Sequence, residues 1–387
     1  MLRFLTAGES HGPCLTVIME GLPAGLKLSS EKINEQLARR QQGYGRGGRM
    51  KIETDKVTIL SGLRFGETLG SPLTLQILNR DWQNWQGKMA PEGLPQGEKV
   101  LEPRPGHADL TGLLKYDRSD VRDILERASA RETAARVAAG AVARALLEEL
   151  GIQIYSHVIN IGGVKLEKAV TIAELQERNS EVGCVDPIVS EKMKACIDAA
   201  KTAGDSLGGV FEVLLLNAPP GLGSYVQYDR KLDAKFAAAF VSIQAIKGVE
   251  FGAGFGCADL PGSLIHDEIT YSQSGIHRLT NHAGGIEGGM TNGEPISIRA
   301  VMKPIPTLMK PLQTFDLATG EAIAASTERS DVCAVPAAAV VGEAAASLVL
   351  AEAILDKFSS DCMADLQNSL ASYRQRIDFK PFSNQNK

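Results

Sequence analysis

Apolar and polar residues alternate in four short stretches, 15–19, 73–78, 210–216 and 296–302, each following glycine or turn residues. In the second, Leu73, Leu75 and Ile77 fall on one side; in the fourth, Ile296, Ile298 and Ala300 do. A period of two sends alternate side chains to opposite faces. Each stretch is therefore predicted to be a strand with one face on a core and antiparallel neighbours. Elsewhere the period lengthens to that of a helix. Residues 32–41 and 229–246 read as helical segments between the strands of each pair. The strongest helical pattern, 130–150, places Ala134, Val137, Ala138, Ala141, Val142, Ala145 and Leu146 on one stripe. Ser129 and Glu132 have capping-box spacing at its start. A second such helix runs from 336 to about 358, and Pro336 suits a first helical position.

The pattern occurs twice. Gly8-Glu9-Ser10-His11-Gly12 precedes the first strand and Gly204-Asp205-Ser206-Leu207-Gly208 the third. Glu126-Arg127-Ala128-Ser129 precedes one long helix and Glu328-Arg329-Ser330-Asp331 the other. We expect two sheet-and-helix layers related by an internal two-fold, with halves of about 1–200 and 201–365 in one domain and a tail from about 366 to 387. Three segments carry no regular pattern: 42–50 is basic and glycine-rich, 84–106 holds four prolines, and 274–295 is rich in Gly, Asn and Ser. Long loops of this kind in a compact protein carry function.

With 387 residues, 44% hydrophobic and 22% charged, the composition is that of an ordinary globular protein. No apolar run is expected to be long enough to cross a membrane, and residues 1–7 read as neither signal nor transit peptide. Six scattered cysteines show no metal spacing, which fits reduced thiols in a cytoplasmic protein. A net charge of −5 argues against nonspecific nucleic-acid binding. Walker A, dinucleotide-binding, H-E-x-x-H and G-x-S-x-G patterns are absent.

Arg39, Arg40, Arg46 and Arg49 lie within eleven residues with no acid among them, and guanidinium forks match carboxylate and phosphate oxygens. The run is equally a solvated basic loop, or a contact for single-stranded RNA, although only Tyr44 is interleaved as an aromatic. An arginine beside each helix start places a positive charge where free N–H groups already favour an anion. Capping alone accounts for Ser129 and Asp331, but not for the repeated Glu-Arg. His11, in a glycine-flanked turn, and His107, after Arg-Pro-Gly, are candidates for proton transfer near neutral pH or plain loop histidines. His277 and His282 fall in the third irregular segment.

Taken together, these motifs resemble the chorismate synthase family. The resemblance rests on 8–12 through Glu20-Gly21-Leu22-Pro23, Arg104-Pro105-Gly106-His107-Ala108-Asp109, Glu126 to Thr133, Asn281-His282-Ala283-Gly284-Gly285, and Arg329 to Cys333. It spans residues 1 to about 365. Many relatives have His-Asp-Pro after the third arginine where this chain has Ser330-Asp331-Val332.

The resemblance implies a β-α-β sandwich and a homotetramer. It also implies a shikimate-pathway lyase of aromatic amino acid biosynthesis that converts 5-enolpyruvylshikimate 3-phosphate to chorismate and phosphate. The cofactor would be reduced FMN, with no net redox change. By the same resemblance, His107 would protonate the departing phosphate, His11 would act on the flavin, and Asp331 would accept the ring proton by way of the flavin. FMN would lie against Arg127, Ala128, Ser129, Gln244, Ala245, Gly288, Lys303, Pro304, Ile305, Pro306, Thr307 and Arg329. Arg40, Arg46, Arg49 and Arg131 would hold the substrate's phosphate and carboxylates. In forms with their own flavin reductase, positions matching Arg40 and Arg46 are linked to NADPH. Nothing else in this chain points to that activity, so an external flavin reductant is expected. The alternatives are a metal-assisted phosphate lyase, which would need clustered ligands, and a noncatalytic anion- or RNA-binding protein.

Overall fold

The computed structural model describes residues 2–47, 54–94, 96–272, 275–327, 331–358 and 360–378. Its longer elements, numbered in chain order, are β1 (Arg3–Ala7), β2 (Cys14–Glu20), α1 (Ser30–Gln41), β3 (Val57–Ser61), β4 (Leu73–Leu78), α2 (Asp109–Tyr116), α3 (Arg122–Ala128) and α4 (Thr133–Glu149). They continue with β5 (Gln153–Ile161), β6 (Val164–Lys165), α5 (Pro187–Thr202), β7 (Gly209–Leu216), α6 (Leu232–Val241), β8 (Ile246–Phe251), β9 (Ile296–Met302), α7 (Val335–Lys357) and α8 (Met363–Ile377).

The architecture is mixed α+β, built of two antiparallel sheets with helices between them. The first sheet runs β1-β2-β4-β3 and the second β8-β9-β7-β5-β6. Read from β5, the second sheet has the order β5-β7-β9-β8, the strand order of the first, with β6 added outside β5. The four stretches of alternating residues are β2, β4, β7 and β9, and they occupy the two middle positions of each sheet. Their register sets the core. Leu15 faces Ile77, Val17 faces Leu75 and Met19 faces Leu73 across β2–β4. Phe211 faces Ala300, Val213 faces Ile298 and Leu215 faces Ile296 across β7–β9. Each of these twelve side chains is essentially excluded from solvent.

Between the sheets, α4 packs on β2 and α7 on β5 and β7, while α4 and α7 pack on each other. At their crossing a Cβ on Gly140 would lie 2.3 Å from the Ala344 Cβ, so glycine permits the close approach. Helix α7 corrects one expectation. Its 23 residues, with a mean hydropathy of 1.8 over the most apolar window, are long and apolar enough to cross a membrane. That window is 94% buried, because neighbours surround the helix on all sides.

Other details differ from the sequence reading. The 130–150 segment opens with a 3₁₀ turn, Ala130–Glu132, before α4 proper. No capping box forms there. The Ser129 hydroxyl accepts from the Arg131 N–H, and the Glu132 carboxylate turns to Arg136 and Thr6. The 229–246 segment divides into a 3₁₀ turn, α6 and the start of β8. Residues assigned to the C-terminal tail include most of α8. All six cysteines are free thiols.

Candidate active site

The turn carrying His11 is built on Gly8, whose φ of +108° would place a Cβ 2.2 Å from the Cys14 carbonyl oxygen. From this turn His11 reaches α3. Its backbone N–H donates to Glu126 Oε2 at 2.9 Å, and its Nδ1 lies 2.8 Å from the same oxygen. Burial alone would raise the Glu126 carboxyl, but hydrogen bonds and charge from His11 and the Arg122 guanidinium outweigh it and hold it below the usual carboxylate range. Asn79, at the end of β4, fixes the same turn: its amide nitrogen donates to Gly12 O at 2.8 Å and Glu9 O at 3.1 Å.

Asn79 also faces the arginines. Its Oδ1 accepts from Arg131 Nε and Nη2 at 3.0 and 2.9 Å. Arg131 Nη1 and Arg40 Nη2 grip the two oxygens of Asp55 at 2.6 and 2.7 Å. Asp55 is 3% exposed, and despite that burial the two guanidinium groups lower its carboxyl. Arg46 pairs with Asp331 at 2.9 Å, while Asp331 Oδ1 accepts from the Gly47 N–H at 2.6 Å. This corrects the helix-cap reading, because α7 starts at Val335 with no side-chain cap. Arg40, Arg46, Arg131 and Asp331 thus belong to one polar cluster fed by both halves. Arg49 and Arg329 lie outside the described residues.

His107 sits at the head of α2. Its Nδ1 lies 2.5 Å from Asp109 Oδ1, and Arg104 Nη2 approaches Nδ1 and Nε2 at 3.1 and 3.3 Å. Burial would raise Asp109, but His107 and Arg104 drive it far below the usual range. Across from this loop lies the second half, where Lys303 Nζ donates to Gly106 O at 2.6 Å and the Lys303 N–H donates to Ala245 O at 2.9 Å. Ile305 O accepts from Ser206 at 2.7 Å, and Thr307 is buried. Pro304 and Pro306 stiffen the run between these anchors.

Gln244 and Ala245 form the bend between α6 and β8, with Ala245 held at φ +68°. Gln244 Nε2 donates to Glu132 Oε2 at 3.2 Å, and its buried Oε1 has no hydrogen-bond partner among the described residues. Arg127 completes this corner by donating to Gly8 O and Thr6 O at 3.0 and 2.9 Å, with Ala128 and Ser129 following at the end of α3. The hairpin carrying Gly288, whose φ is +58°, is tied to the start of α6 (Leu232 N–H to Gly289 O, 2.9 Å), and Gln244 follows the end of that helix.

The sequence singled out the histidines and arginines but gave no role to Glu126, Asp109, Asn79, Asp55 or Trp85. Asp109 was detectable two residues beyond His107. The others are distant in sequence and meet their partners only through the fold. No group of three or more His, Cys, Asp or Glu side chains suited to a metal ion occurs among the described residues.

This arrangement can bind anions and present two carboxylate-held imidazoles. A family model described as chorismate synthase matches residues 2–355. The chorismate synthase of Desulforamulus reducens is 59% identical over 384 residues, covering 97% of this chain and 99% of that protein. The Geobacter sulfurreducens chorismate synthase is 57% identical over 390 residues, with the same shares covered. A crystal structure of chorismate synthase superposes with a TM-score of 0.79 at 45% identity, covering 97% of this chain and 98% of that one. From sequence, superposition and family model alike, over nearly its full length, the chain belongs to the chorismate synthase family of lyases.

Proposed function

We propose that this chain eliminates phosphate from 5-enolpyruvylshikimate 3-phosphate to form chorismate at the junction described above, with reduced FMN bound there. The observation that carries this reading is the corner made by Arg127, Gln244, Ala245 and Lys303. A buried acceptor, Gln244 Oε1, lacks a donor, and the backbone is held at positive φ beside it. These features suit a ligand with N–H groups and a flat ring. Arg127, Ala128, Ser129, Gln244, Ala245, Gly288 and the Lys303–Thr307 run would hold it. A reduced flavin, when bound, supplies electron density as the allylic phosphate departs and recovers it as the hydrogen leaves.

The protein's part is proton placement and anion binding. With Asp109 accepting from Nδ1, a doubly protonated His107 would carry a second, transferable proton on Nε2 for the departing phosphate, and Arg104 adds a positive charge beside it. Glu126 holds Nδ1 of His11 in the same way, so Nε2 is the atom that serves the flavin. Asp331, tethered by Arg46 and Gly47, takes up the ring proton. Arg40 and Arg131, both bound to Asp55, present a fixed positive field for the substrate, and Arg40 Nε has no partner among the described residues.

We further infer one cytoplasmic domain whose halves are related by an internal two-fold. The shared strand order of the two sheets supports the two-fold. A homotetramer is supported by the exposed Leu5, Ile18 and Leu60 on the first sheet. Reduced flavin would come from an external reductant. The test is anaerobic phosphate release with chemically reduced FMN, with oxidised FMN, or with NADPH plus oxidised FMN. Release with reduced FMN alone is expected. Release with NADPH plus oxidised FMN would show an intrinsic reductase, and release without flavin would overturn the cofactor assignment.

A further inference from the structure

His11 is gripped at one nitrogen, and a single anchor leaves an imidazole free to rock about it. The structure supplies a second constraint. The Trp85 ring stacks on His11 with centroids 3.9 Å apart and planes 23° from parallel. Trp85 is itself fixed, because its Nε1–H donates to Asp81 Oδ2 at 2.9 Å and Asp81 Oδ1 accepts from Asn84 at 2.8 Å. The Arg122 guanidinium lies 4.9 Å from the centre of the same indole while pairing with Glu126 at 3.0 Å. One short segment, 79–85, therefore holds the backbone of the His11 turn through Asn79 and the face of the His11 ring through Trp85.

We propose that Trp85 is a positioning residue of the elimination site: its indole sets the plane of the His11 imidazole and, with Glu126 on Nδ1, fixes where Nε2 points. This rests on the reading of His11 as a residue that serves the flavin. Half-buried Trp85 lies in a surface segment, so its replacement leaves the core intact, and phenylalanine preserves a stacking face.

The experiment is a double-mutant cycle of His11→Asn and Trp85→Leu, with Trp85→Phe alongside, assayed anaerobically with excess reduced FMN. Trp85→Leu should lower kcat about tenfold with KM for the substrate changed less than about twofold, since it disturbs aim and not substrate binding. Trp85→Phe should restore most of that loss, and Trp85→Leu should cost nothing further once His11 is Asn. The NMR signal of the [13C]-labelled His11 ring, identified by its absence in His11→Asn, should shift when the indole is removed. Unchanged kcat in Trp85→Leu, or an equal loss with and without His11, overturns the proposal while leaving the role of His11 standing. Full turnover in His11→Asn overturns both, and the NMR shift then reports the stack alone.

Discussion

At the scale of single residues, the site is a set of charged side chains whose ionisation is fixed by neighbours. His107 and His11 each bind a carboxylate through Nδ1, and in each pair the carboxylate is held below its usual range. Each carboxylate favours a proton on Nδ1, and at His107 the Arg104 guanidinium also approaches Nε2 at 3.3 Å. His107→Ala should therefore reduce turnover by about 10²–10⁴-fold with little change in substrate affinity; unchanged turnover would discard its role as proton donor. Gln244→Ala removes the partnerless buried oxygen and should weaken reduced-FMN binding about three- to tenfold, measured by equilibrium titration. Identical affinity would place the flavin elsewhere. The sequence shows the histidines through their glycine settings but not their partners. Glu126 is 115 positions from His11, and only the docking of α3 beneath the turn brings them together.

At the scale of elements, α7 is the centre of the fold and carries a deeply buried charge. Glu343, 2% exposed, accepts from Arg39 at 2.6 and 2.8 Å, Arg144 at 2.8 Å and Ser156 at 2.6 Å. Burial would raise its carboxyl, but the two arginines outweigh burial and lower it from 4.5 to about 2. A depressed folded-state value means that the stabilisation is complete above about pH 4.5 and fades as pH falls toward about 2. Glu343→Ala should cost about 3–5 kcal/mol at neutral pH by stranding two arginines. The gap in Tm from the parent should narrow at pH 3; a gap independent of pH would show that the carboxylate is not ionised in the fold. Gly140→Val should destabilise by about 1–3 kcal/mol, because Ala344 occupies the space a side chain needs. Unchanged thermal unfolding would mean that α4 and α7 can separate freely.

The elements were legible where one face is buried. Strands β2, β4, β7 and β9 show clean alternation and were placed within a residue or so. β5 was not, because Ser156, His157 and Val158 are consecutively buried and erase the period of two. The bend at Gln244–Ala245 was hidden inside a helical pattern, since alanine gives no signal of a positive φ.

At the scale of the whole molecule, two sheets of the same strand order bring different groups to one junction. The first half brings His11, His107, Arg127 and the Asp55-bound arginines; the second brings Gln244, Lys303 and Asp331. Their recurring motifs were visible in the sequence, as was the family. The convergence was not, since it depends on α4 packing against α7 and on Lys303 reaching Gly106. The central claim is that this junction uses a reduced flavin that is lent and not spent. The most direct measurement is an anaerobic reaction with one equivalent of reduced FMN per chain and a large excess of 5-enolpyruvylshikimate 3-phosphate, counting phosphate, chorismate and reduced flavin together. The account predicts equal phosphate and chorismate over many turnovers, with the flavin still reduced at the end. A single turnover that leaves the flavin oxidised, or an equal yield starting from oxidised FMN, would contradict it.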